Sequence, residues 1–73
     1  MKFEVFGMEF RRKPPVEVGE IRKVRIENLG SGGDGIARID GYVVFVPNTQ
    51  VDDEVTIRIV KVLRNYGFAE VVD

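Results

Sequence analysis

Four cations and four aromatic rings crowd the second half of this 73-residue chain: Arg38, Tyr42, Phe45, Arg58, Lys61, Arg64, Tyr66 and Phe68. A flat ring can stack a nucleobase, at about 1–3 kcal/mol per base, while guanidinium and ammonium groups offset phosphate charge. The candidate chemistry is recognition of single-stranded nucleic acid. Other chemistries find little material. The chain has no histidine and no cysteine, which removes the usual general base and any thiolate metal site. Asp34, Asp40, Asp52, Asp53 and Glu54 fall at expected turns with no nucleophile nearby, and the 52–54 acidic run lacks the spacing of a calcium loop. Gly30, Gly32, Gly33 and Gly35 suggest a phosphate loop, but there is no Walker spacing, no Gly-Lys-Ser/Thr and no helix signal after them. No catalytic centre, metal or cofactor is expected, and the protein reads as a non-enzyme.

These side chains need strands to hold them. Valine and isoleucine far outnumber leucine and alanine, and β-branched side chains suit a pleated surface better than a helix. Alternation predicts strands over 20–27, 36–39, 42–46, 54–63 and 66–72. Asp40-Gly41 between two apolar runs predicts a type I′ hairpin turn. Pro47 ends the third strand because it cannot donate to a ladder. The glycine-rich 28–35 stretch reads as a loop or bulge, 48–53 as a polar turn, and Asn65 as a left-handed turn residue. The length of 54–63 predicts a bend around a barrel corner. The fold class is all-β: a small five-stranded Greek-key or OB-like β-barrel.

Alternation also sorts the faces. Val24 and Ile26, Ala37 and Ile39, Val44 and Val46, Val55, Ile57 and Ile59, and Ala69 and Val71 are the inward sets. Arg38, Phe45, Arg58, Phe68 and Glu70 then face outward, and burying an unpaired Glu70 would be costly. Tyr42 and Tyr66 stand at strand ends, with Lys61 and Arg64 near the last turn. Tyr42 serves equally as a stacking ring or as a cap on the hairpin. In so small a chain a phenylalanine is ordinarily core, so Phe45 and Phe68 reach the surface only if no bulge flips the parity.

Residues 1–18 read as an N-terminal extension and flexible tail, with Phe6 and Phe10 ahead of the basic triplet Arg11-Arg12-Lys13 and Pro14-Pro15; the triplet is an accessory phosphate contact. Residues 19–73 form the barrel domain. A chain this short buries only about 60% of its unfolded surface, so the core is thin. The net charge is −1, so any nucleic-acid binding relies on a local patch. No apolar run approaches the roughly 20 residues a membrane helix needs, and Glu4 and Glu9 interrupt any signal pattern. No membrane association is expected, and the cytoplasm is the default location.

Gly33-Asp34-Gly35-Ile36-Ala37-Arg38, Gly41-Tyr42-Val43-Val44-Phe45-Val46-Pro47, Asp53-Glu54-Val55 and Phe68-Ala69-Glu70 together resemble the TRAM domain, an RNA-binding module. The resemblance runs from about Gly19 to Val72 and is closest to small stand-alone archaeal versions. It implies a five-stranded barrel that binds RNA (tRNA, rRNA or mRNA) as a monomer without catalysis, with Arg38, Tyr42, Phe45 and Phe68 at positions linked to RNA contact. For stand-alone members it implies an RNA chaperone role like that of cold-shock proteins. Larger members carry the domain on tRNA- and rRNA-modifying enzymes, so docking on a modification enzyme is the alternative. Asp52 stands where the family commonly has glycine, which predicts a different turn before the fourth strand.

Overall fold

The computed structural model describes residues 14–72. The expectations placed on Phe6, Phe10 and Arg11-Arg12-Lys13 lie outside the described residues. Six strands are present: β1 (Ile21–Arg25), β2 (Asn28–Leu29), β3 (Gly35–Ile39), β4 (Tyr42–Val46), β5 (Glu54–Val62) and β6 (Tyr66–Val71). They form one sheet in the order β1-β5-β6-β4-β3-β2. Every pairing is antiparallel except β4 with β6, which is parallel. Among the described residues no helix is long and apolar enough to cross a membrane.

The strand count corrects the expected five, and the reason is local. The Ile26 N–H donates to Asp53 O and Ile26 O accepts from Asp52 N, on the β5 side. The next residue, Glu27, donates its N–H to Ile36 O, on the β3 side. The chain thus changes partner between adjacent residues, ending β1 and starting the two-residue β2 inside the stretch expected to be loop. One continuous segment supplies both edges of the sheet, so the sheet curls back toward itself. This curled arrangement is compatible with an OB-like barrel.

The inward sets meet inside the curl. Ile26, Ala37, Val44, Val46, Ile57, Ile59 and Ala69 are buried as alternation predicts, each aliphatic isoleucine or valine contributing about 1.5–3 kcal/mol. Val71 corrects the expectation: it is 39% exposed, because it lies at the end of β6 where only Ile57 is opposite. Val16 joins the core, so packing reaches back beyond Gly19.

Turn chemistry follows the residues closely. Asp40 and Gly41 have φ of 52° and 83°, the left-handed pair that a type I′ turn requires. Asn65 is not left-handed; in the polar turn Asn48 (φ 65°) and Asp52 (φ 75°) are. Asp52 therefore adopts the left-handed backbone conformation that glycine takes easily. Its carboxylate accepts from Arg25 Nη2 at 2.7 Å. Gly35 is required for space: a Cβ there would lie 1.9 Å from Thr49 Oγ1. Thr49 is buried, and its hydroxyl donates to Val46 O at 2.8 Å.

Candidate nucleic-acid interface

The outer face of β4 and β6 carries a cluster of three rings. In the parallel pairing Phe45 is opposite Phe68 and Val43 opposite Tyr66. Phe45 and Phe68 have ring centroids 5.7 Å apart, and Tyr66 meets both edge-on, at 5.8 Å from Phe45 and 5.7 Å from Phe68. These distances lie in the favourable range for aromatic pairs. Phe45 and Phe68 are half-buried and Tyr66 is 40% exposed. The faces are as alternation predicts, and the rings partly cover one another.

Tyr42 corrects the expectation of a stacking ring. It shares its side of β4 with Val44 and Val46, is only 7% exposed, and donates its hydroxyl to Leu63 O at 2.8 Å. Gly67 makes room for its ring. Its residue type and strand-end position suggest a stacking ring or a hairpin cap, whereas in the strand it alternates in phase with Val44 and Val46 and so faces the core.

The cations fall into two groups. Lys61 is opposite Phe68 on β5. A β-bulge puts it there: Ile59 pairs with Ala69 and Lys61 with Phe68, leaving Val60 extra and both Val60 and Lys61 exposed. The bulge interrupts the register of the long strand and re-aims a side chain as bulges do. Arg64 is exposed in the β5–β6 turn and borders an open cleft with Asp40, Gly41 and Asn65. Among the described residues neither Lys61 nor Arg64 has a carboxylate partner.

The second group is paired. Arg58 is exposed and opposite Glu70, and its Nη2 forms an ion pair with the Glu70 carboxylate. Arg38 is exposed on β3, opposite Val43, with Nε 3.9 Å from Glu27 Oε1. Away from the rings, Arg25 is held by Asp52, whose hydrogen bond raises the guanidinium pKa above its usual value. Asp53 accepts from Gln50 N at 2.8 Å, so Asp52 and Asp53 are both engaged by protein contacts at the turn. Among the described residues no group of three acidic side chains is placed to hold a metal ion.

The structure therefore brings together Phe45, Tyr66, Phe68 and Lys61, sets Arg38, Arg58 and Arg64 around them, and removes Tyr42 to the core. Sequence reasoning missed the Arg58–Glu70 pairing. The signal lay in the register of β5 against β6, which the bulge obscures.

A model of the TRAM domain matches residues 15–72. The chain is 52% identical over 62 residues to an uncharacterized protein of Methanocaldococcus jannaschii, covering 85% of this chain and 80% of that one. It is 45% identical to a translation initiation factor 2 subunit beta of Methanothrix thermoacetophila, covering 80% of this chain and 28% of the relative. It is 38% identical to an uncharacterized RNA methyltransferase of Oceanobacillus iheyensis, covering 86% of this chain and 14% of the relative. The solution structure of a conserved protein from Methanococcus maripaludis superposes with a TM-score of 0.80 at 44% identity, covering 96% of this chain and all of that one.

Proposed function

The chain belongs to the TRAM domain family, and from that premise we propose that it is an RNA-binding module that holds unpaired segments and catalyses no reaction. Bases stack on Phe45, Tyr66 and Phe68, while Lys61, Arg64 and Arg38 offset the phosphates. The observation that carries this reading is the three-ring cluster with Lys61 in register beside it. A module with net charge −1 binds through such a patch and not through its overall field. RNA held single-stranded is withdrawn from pairing, so a chaperone activity resembling that of cold-shock proteins follows by mass action, without ATP. The partner RNA is tRNA, rRNA or mRNA, and the setting is the archaeal cytoplasm.

A second reading has its own support. The same stretch makes up 14% of a longer relative named as an RNA methyltransferase and 25% of a ribosomal RNA large subunit methyltransferase E from Natronomonas pharaonis. A TRAM domain that docks on such an enzyme and delivers RNA to it fits those proportions.

The test is fluorescence anisotropy of a labelled, unstructured RNA at several salt concentrations. Saturable binding that weakens with salt, at a slope of roughly −0.7 per phosphate engaged, is expected. Phe45→Ala with Phe68→Ala weakens it at least tenfold, and Phe68→Leu, which keeps apolar volume without a ring face, weakens it too. Circular dichroism checks that the sheet persists. Unchanged affinity in folded variants removes the reading.

A further inference from the structure

Resting on the RNA-binding reading, we infer that Glu70 is an affinity-limiting residue: its carboxylate occupies Arg58 in the free protein, and an RNA phosphate must displace it. Glu70 follows Phe68 by two residues on β6, so both project from the outer face. Arg58 is its direct partner on β5, and the two side chains form an ion pair while each remains about half exposed. Three residues along β5, Lys61 stands beside Phe68 with no carboxylate partner among the described residues. Two cations thus flank one stacking ring, and only one is unoccupied.

A guanidinium binds a carboxylate and a phosphate through the same fork of N–H donors, so the two anions exclude each other at Arg58. This competition lowers affinity and speeds release. The exposed setting keeps the pair weak enough for exchange. A module that must let go of its RNA gains from a resident anion of this kind, and the low net charge of the chain is then partly a local device beside the rings.

The test is a double-mutant cycle on the full chain, read by anisotropy with the same labelled RNA. Glu70→Gln tightens binding about two- to fivefold, the worth of an exposed ion pair. It also steepens the salt slope by about 0.7, the effect of one further phosphate contact. Arg58→Gln alone weakens binding, since it removes the phosphate contact at Arg58 and leaves the Glu70 carboxylate unpaired. In the Arg58→Gln background Glu70→Gln does not steepen the salt slope, because no guanidinium is there to be released to a phosphate. An equal steepening in both backgrounds assigns the effect to net charge and overturns the inference, as does no gain in affinity at all while the native protein binds and the Phe45/Phe68 variants do not. Absence of binding by every variant overturns the RNA reading and the inference with it.

Discussion

Phe45 and Phe68 stand opposite each other across the parallel β4–β6 pair, their ring centroids 5.7 Å apart and their planes inclined by 31°. Parallel pairing is what makes the cluster. A slip of one residue would turn Phe68 into the core and Ala69 out, since side chains alternate along a strand. Register, core and ring cluster are fixed by the same hydrogen bonds. Each ring pair contributes about 0.5–1.5 kcal/mol beyond its buried area, so the surface also stabilises the fold that presents it.

Tyr66 separates those two roles. It touches both phenylalanines edge-on but is the most exposed of the three. Tyr66→Ala should weaken RNA binding by about 1–3 kcal/mol, the loss of one stacked base. Its urea midpoint should move much less than that of Phe45→Ala. Equal losses of stability in the two variants, with RNA affinity untouched in Tyr66→Ala, would sink the assignment.

Tyr42 should behave in the opposite way. Its ring is buried and its hydroxyl is bonded to Leu63 O. Tyr42→Phe deletes one hydrogen bond and leaves a carbonyl without its partner, which costs about 1 kcal/mol. Urea unfolding should show that loss, and anisotropy should show native RNA affinity. A variant of native stability with weakened RNA binding would return Tyr42 to the interface.

Much of this was legible in the residues, for physical reasons that differ by position. Asp40-Gly41 announced its turn because few residue pairs tolerate two left-handed positions, and both adopt them. Arg38, Phe45 and Phe68 could be assigned to the outer face because the short strands around them alternate without interruption. Tyr42 alternates in phase with Val44 and Val46, but a tyrosine at a strand end has the chemistry of a stacking ring or a hairpin cap, and only the extent of β4 decides between that and the core. The bulge at Val60 was not legible, since an inserted residue leaves composition unchanged and shows only against a partner strand. The Glu70–Arg58 pair depends on that register, and the change of partner at Ile26–Glu27 depends on contacts with Asp53 and Ile36, both far along the chain.

Glu20 gives a pH signature. Arg22 Nε donates to one carboxylate oxygen at 2.6 Å and Glu17 N to the other at 3.0 Å. The hydrogen bond from Arg22, and then that from Glu17, hold the Glu20 carboxyl below its usual range. A depressed folded pKa adds stability above the unfolded value, about 4.3, and that stability fades as pH falls through the folded pKa. Glu20→Gln should therefore unfold at lower urea than the native protein at neutral pH, with the gap closing in acid. A gap that stays constant from neutral pH to about pH 3 would show that the charge on Glu20 is not involved.

Gly67 joins the core to the interface and gives the sharpest structural test. Its φ is ordinary, so the constraint is space: a Cβ would lie 2.7 Å from Lys61 O and 3.0 Å from the Tyr42 hydroxyl oxygen. Lys61 O is backbone in the bulged strand and cannot swing away. Either the bulge opens or Tyr42 leaves its bond to Leu63 O, and overpacking of this kind costs about 1–3 kcal/mol. Gly32 is the control, with nothing within 4 Å of a Cβ and no left-handed backbone. Gly67→Ala should lower the urea midpoint well below that of Gly32→Ala, and it should also weaken RNA binding, because Lys61 and Phe68 flank the strained contact. Equal midpoints for the two variants would mean that β5 and β6 are free to separate at the bulge, and that the placement of Lys61 beside Phe68 is not held by the fold.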